Sequence, residues 1–193
     1  MKTGAWNVNI VADGMPQKIA TAFSEFQDKL VGASYTPIAY IGSQVVNGTN
    51  HAVLAEQVLT TGLDTKNIVV VKFNEREDKV VLSGIERVLE QGGKLGGVQV
   101  NVQIGDDIDK AAMKAFETEF EEFVGSVVKP IALLGTQVTR GTDYIFFCEV
   151  KPVTMMDDYK KAMIVRVNEL SDIHAGFIDV LEDRASLNYA FTW

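Results

Sequence analysis

Gln44-Val45-Val46-Asn47-Gly48-Thr49-Asn50 recurs, changed at its third, fourth and last positions, as Gln137-Val138-Thr139-Arg140-Gly141-Thr142-Asp143. Outward from it the match continues: Pro37-Ile38-Ala39 pairs with Pro130-Ile131-Ala132, Ala22-Phe23 with Ala115-Phe116, and Val88-Leu89-Glu90 with Val180-Leu181-Glu182. The chain therefore reads as two copies of one unit, and its function is to be sought in that unit. The expected boundaries are a first domain over 1–92, a second over 97–193, and a glycine-rich linker at 93–96.

Each copy opens with an alternating stretch that reads as a strand, Trp6 to Val11 and Val98 to Ile104. A helix follows. In the first copy Pro16 suits an early helical position, and Ile19, Phe23, Phe26 and Leu30 form one apolar stripe that ends near Gly32. In the second, Asp106, Asp107 and Asp109 crowd the helix start, where carboxylates cap free amides, and Ile108, Ala112, Phe116, Phe120 and Phe123 point inward until Gly125. The repeated motif then turns a long hairpin, Ile38 to Leu59 and Ile131 to Val153. Asn-Gly favours a two-residue turn because both central residues need positive φ, which Asn tolerates and Gly adopts freely. The first tip is expected to be tight. Arg140 replaces Asn47, and a left-handed backbone would cost it about 1 kcal/mol, so a wider second loop is expected.

A further strand alternates Val69, Val71 and Phe73 against Val70 and Lys72, echoed by Met163, Val165 and Val167 against Ile164 and Arg166. After the polar turn Asn74 to Asp78, a closing strand is expected over Val80 to Leu89, echoed near Ile173 to Leu181. Ile145 and Phe147, on the opposite side of the second hairpin from Phe146, imply a cover for that face: the partner domain or another chain.

Composition excludes several function classes. A net charge of −8 over 193 residues and a pI of about 4.8 oppose binding to a phosphate backbone, so nucleic acid is not an expected partner. No apolar run has bilayer length, and Met1-Lys2-Thr3-Gly4 leads into a mixed polar segment, so neither a membrane partner nor a signal peptide is expected. The one cysteine, Cys148, fits a reducing compartment, and the expected location is cytoplasmic. Alternation puts its thiol on the face of Phe146 and Val150, the expected place of a core thiol; activation would need a nearby base, and the only histidines are His174 and, in the other copy, His51. His51, His174 and one Cys do not make an ordinary soft-metal site. Glu117, Glu119, Glu121 and Glu122 read as a solvated helix surface. The linker glycines lack the Gly-Lys-Ser/Thr ending of a phosphate loop, and no nucleophile elbow or paired-acid cleft stands out. No enzyme, cofactor or metal is expected.

Ser43-Gln44-Val45-Val46-Asn47-Gly48-Thr49-Asn50 contains Gln-x-Val-x-Gly and resembles the cystatins, in particular their disulfide-free branch, the stefins. The element order agrees, as does the position of Gly4 ahead of the hairpin. The similarity covers residues 1 to 90; the second half resembles the family mainly through the first. The resemblance implies an α+β fold of two tandem cystatin-like domains, each a helix wrapped by an antiparallel β-sheet. It also implies a wedge of three parts that plugs the cleft of papain-like cysteine peptidases. Gly4 would take the non-primed side, Val45, Val46, Asn47 and Gly48 the centre, and the turn with Asn74, Glu75 and Arg76 the other flank, while Gln44 braces the hairpin. That turn lacks the Pro-Trp pair of many secreted cystatins. In the weaker second copy, Gln137, Val138, Thr139, Arg140 and Gly141 occupy the motif, with a bulky charged tip that fits a narrow cleft poorly.

Two functional expectations stand. One is a cystatin-like inhibitor of papain-type cysteine peptidases acting through the first copy. The other is a non-inhibitory interaction or assembly module that pairs with another protein or with itself as a homo-oligomer.

Overall fold

Several stretches of this chain are apolar on successive residues rather than on alternate ones, and those stretches set the layering. The structure is a computed structural model that describes residues 4–60, 65–92, 96–153, 159–170 and 175–181. A first antiparallel sheet contains β1 (Trp6–Val11), β2 (Ala33–Val46), β3 (Gly48–Leu59), β4 (Thr65–Arg76) and β5 (Lys79–Glu90), in that spatial order. A second contains β6 (Gln99–Ile104), β7 (Ser126–Thr139), β8 (Gly141–Pro152), β9 (Lys161–Asn168) and β10 (Gly176–Asp179), ordered β10-β9-β8-β7-β6. Helix α1 (Gln17–Lys29) follows β1, and α2 (Lys110–Phe120) follows β6.

Side chains on one face of each sheet meet those of the other. Ile38, Ile41, Leu54, Ile68 and Val70 from the first sheet share a buried cluster with Leu134, Ile145, Phe147 and Ile164 from the second. The opposite face of the first sheet takes α1, where Ile19, Phe23 and Phe26 pack on Tyr35, Val53, Val71 and Phe73. The opposite face of the second takes α2, where Ala112 and Phe116 pack on Phe146, Cys148 and Val165. The layers run helix, sheet, sheet, helix. Strand β4 lies between two of these interfaces, which is why Ile68, Val69, Val70 and Val71 are each at most 1% exposed and read as an unbroken apolar run.

This overturns the expected fold class. The chain is mostly antiparallel sheet, with helices of only 13 and 11 residues, and it does not form two tandem cystatin-like domains that each wrap a helix in a sheet. The physical reason is the second apolar face of each sheet: a short helix covers one face, and the other is buried only by sheet-on-sheet packing. The cover expected over Ile145 and Phe147 is therefore the first sheet.

Asp109 caps α2 by accepting from the amides of Ala111 at 2.8 Å and Ala112 at 3.1 Å. The helix stops at Phe120, so Phe123 does not continue its inward stripe; it is 41% exposed and stacks on Phe177. Both hairpin tips also differ from expectation. Val45 pairs with Thr49 and Val138 with Thr142 in the same register, which leaves three residues in each tip. Only Gly48 (φ 95°) and Gly141 (φ 87°) take positive φ there, the pattern of a three-residue loop ending in a left-handed glycine. Arg140 is never asked for a left-handed backbone, so the second loop is no wider than the first. Residues 93–95 of the expected linker, and Ile173 and His174, lie outside the described residues. Among the described residues no helix is long and apolar enough to cross a membrane.

Candidate functional site

Three segments meet at one end of the first sheet. Trp6 on β1 pairs with Gln44 on β2, which brings Gly4 beside the hairpin tip, and its amide donates to the Val45 carbonyl at 3.1 Å. On the other side of the tip, Thr49 pairs with Glu75, and β4 turns into β5 through Glu77 (φ 50°) and Asp78 (φ 64°). Two consecutive left-handed residues make this the tight two-residue hairpin. Gly4, the Val45-to-Gly48 tip and the turn after Arg76 thus lie side by side.

A ladder of side-chain amides ties them together. Gln44 Nε2 donates to the Gly4 carbonyl at 2.8 Å, and Asn50 Nδ2 donates to Gln44 Oε1 at 2.9 Å. Asn74 Nδ2 donates in turn to Asn50 Oδ1 at 2.8 Å. An amide carries a donor and an acceptor, so each rung satisfies the next, and the three strands hold one spacing at their ends. Gly48 lies against β4: a Cβ at this position would come within 2.5 Å of the Glu75 carbonyl oxygen. The tip itself is open, with Val45 44% and Val46 40% exposed.

On the helix side, charges fasten the turn. Lys18 Nζ lies 2.7 Å from Glu75 Oε1 and 2.9 Å from Asp78 Oδ1. These contacts raise the ammonium pKa and hold both carboxyls below their usual range. The second Glu75 oxygen is 3.3 Å from His51 Nε2, and Tyr40 Oη is 2.9 Å from His51 Nδ1. His51 is 7% exposed, and its burial lowers its pKa against the opposing pull of Glu75. Arg76 lies outside this cluster and reaches Glu77 at 3.6 Å.

The second copy repeats the ladder with one change. Gln137 Nε2 donates to the Gly96 carbonyl at 2.8 Å, and Asn168 Nδ2 donates to Asp143 Oδ1 at 2.6 Å. A carboxylate has no proton to give, so buried Gln137 Oε1 has no hydrogen-bond partner among the described residues; Asp143 Oδ2 instead meets the Arg166 guanidinium at 3.4 Å. Val138 at this tip is 71% exposed, and Thr139 Oγ1 and the Arg140 carbonyl lie 3.3 Å from Asn168 Nδ2. The two tips are well separated. Strand β5 runs away from the first tip, and β6 begins beside the far end of β5, where the Gly92 amide donates to the Val98 carbonyl at 2.9 Å.

All nine first-copy residues singled out from the sequence fall at this one end. Sequence reasoning missed Asn50, Lys18 and Tyr40, and it weighed His51 only as a base for the thiol or as a metal ligand. Asn50 had a signal, since Asn74-Glu75 recurs as Asn168-Glu169 and a polar residue kept in both copies within an apolar strand needs a partner. Cys148 is fully buried, which raises its thiol pKa well above the ordinary value. Among the described residues no group of three His, Cys, Asp or Glu side chains could hold a metal ion. No protein-family model matches the chain, and no curated protein matches it.

Proposed function

We propose that the chain inhibits papain-type cysteine peptidases by seating the end of its first sheet in the substrate cleft. The observation that carries this reading is the alignment of Gly4, the Val45-to-Gly48 tip and the turn after Arg76 along one edge, braced by Gln44, Asn50 and Asn74. The reading rests on those three segments and not on the fold. A thin apolar tip with its turn already formed loses little conformational freedom on entering a cleft, and it presents no scissile bond in an extended strand. The inhibitory role belongs to the first copy. Arg140 puts a long cation on the second tip, and Asp143 leaves Gln137 incompletely bonded.

The test is a titration of papain-like enzymes with wild type, Val45→Asp and Val46→Asp. Both valines are exposed at the tip, so the fold tolerates the change. The expected result is micromolar or tighter inhibition by wild type, weakened about tenfold or more by either aspartate, roughly 1.4 kcal/mol. Absence of inhibition by wild type, or equal inhibition by the variants, refutes the wedge.

One observation supports the other reading, a non-inhibitory interaction or assembly module. Strand β5 is a 12-residue sheet edge on which Val81, Leu82 and Ile85 are 56%, 42% and 37% exposed, and an open edge can accept another strand. Light scattering over a dilution series separates the two: an oligomer that buries the first tip leaves no wedge to act.

A further inference from the structure

The two sheets meet at two corners, and the corners are not filled alike. At one, Trp6 and Val8 of β1 face Asp179 and Leu181 around a cavity of about 170 Å³. At the other, Val88 and Leu89 at the end of β5 face Val98, Ile145 and Ile164 around a cavity of about 350 Å³. Strand register makes these corners equivalent. Val8 lies opposite Gly42 as Val100 lies opposite Gly135. The backbone oxygen of Asn7 presses on Gly42 as that of Gln99 presses on Gly135. Counting back along each strand, Val98 occupies the position of Trp6.

The two cavities have equivalent residues in their linings only at Trp6 and Val98 and at Leu181 and Leu89; Tyr159, Lys160 and Lys161 line the first, and Ile145, Ile164 and Arg166 the second. Trp6 packs an indole against the inter-sheet core, and Val98 offers an isopropyl group. Ile145 and Ile164 stand where Ala52 and Val70 stand in the first copy, but the methyl groups regained there do not replace a bicyclic ring. The larger corner keeps apolar walls. The charged groups at its rim are paired, Arg166 with Asp143 at 3.4 Å and Glu90 with Arg87 at 3.1 Å, so the site favours no ion of either sign.

We propose that this corner binds a neutral, planar, bicyclic aromatic molecule of indole size, lying where the ring of Trp6 lies at the other corner. An apolar protein cavity of about 150 Å³ accepts benzene, and ligand sites are mostly apolar clefts lined as this one is. The site is distant from the first hairpin tip and independent of peptidase inhibition.

The experiment uses the full chain with labelled isoleucine methyl groups and titrates indole, followed by NMR. In wild type, saturable shifts are expected at Ile145 and Ile164 and not at Ile19, which lies under α1. Val98→Trp fills the site with the side chain of the equivalent position and is expected to weaken indole binding about tenfold or more; Val98→Phe takes its place if the larger substitution prevents folding. Failure of wild type to saturate below millimolar indole, shifts spread evenly over the isoleucines, or equal affinity in the folded filled variant each overturns the proposal.

Discussion

Replacing Gly48 and Gly141 separately by alanine isolates what the first hairpin tip owes to its contact with β4. Both glycines have positive φ, 95° and 87°, so each alanine carries a similar conformational penalty of about 1 kcal/mol. Their surroundings differ. A Cβ at Gly48 meets the Glu75 backbone oxygen at 2.5 Å, whereas a Cβ at Gly141 meets the side chain of Glu169, its Oε1 at 2.8 Å. A carboxylate arm swings aside, but a carbonyl fixed in a ladder moves only with its strand, and forced overpacking of that kind costs about 1–3 kcal/mol. The expected losses are about 3 kcal/mol for Gly48→Ala and about 1 kcal/mol for Gly141→Ala. Urea unfolding followed by far-ultraviolet circular dichroism reads the difference. With a urea m-value of about 2 kcal/mol/M, the midpoints should fall about 1 M apart. Because the core between the sheets draws on both copies, the two variants should shift a single transition. Equal losses, or a larger one for Gly141→Ala, would refute the proposed seating of the tip on β4.

Stability should also fall with acid through His51. Its folded pKa lies below the unfolded value, so the unfolded chain binds more protons between the two. The contribution is complete above about pH 6.5 and is lost as pH falls through the folded pKa; melting curves of wild type and His51→Gln over that range should converge on acidification, and parallel curves would exclude the residue as the cause. Asn50→Asp removes the proton donated to Gln44 Oε1 and should cost about 1–3 kcal/mol in denaturant titration, an expectation that fails if stability is unchanged. Asp109→Ala removes the acceptor of two free amides at the start of α2 and should cost about 1 kcal/mol by the same assay; a change of only a few tenths would mean that water serves the cap equally well.

Helix α1 was legible in the sequence because Ile19, Phe23 and Phe26 recur at helical spacing. The hairpins were legible because a glycine returns at one offset in both copies. The stacking of the sheets was not. Runs such as Ile68 to Val71 show burial on both faces without saying what lies on the second, and strand periodicity distinguishes faces, not neighbours. The tip conformation was misread because Asn-Gly suits a two-residue loop, whereas the register here leaves three residues and needs positive φ only at the last. At the candidate site, repetition exposed Gln44 and could have exposed Asn50 with Asn74. It hid the Lys18, Glu75 and His51 cluster, because the second copy has Ala111 and Tyr144 at the positions of Lys18 and His51.

Face-to-face packing of two related sheets limits where such copies can diverge. Residues between the sheets serve a shared core, those beneath each helix serve a local one, and a polar substitution in either place leaves a buried group without a partner. The two cores differ by exchanges of one apolar side chain for another, such as Ala52 against Ile145 and Leu54 against Phe147. The sheet ends and corners escape both constraints and differ in charge, polarity or bulk: Asn50 against Asp143 and Asn47 against Arg140 at the tips, Trp6 against Val98 at the corners. Each has a local consequence, an orphaned amide oxygen, a charged loop and a corner without the indole ring. This ordering is itself testable by exchanging residues between copies. Exchanging Trp6 and Val98 should move the larger cavity, and with it indole binding, from one corner to the other while the fold persists, because the strand registers on either side are already the same.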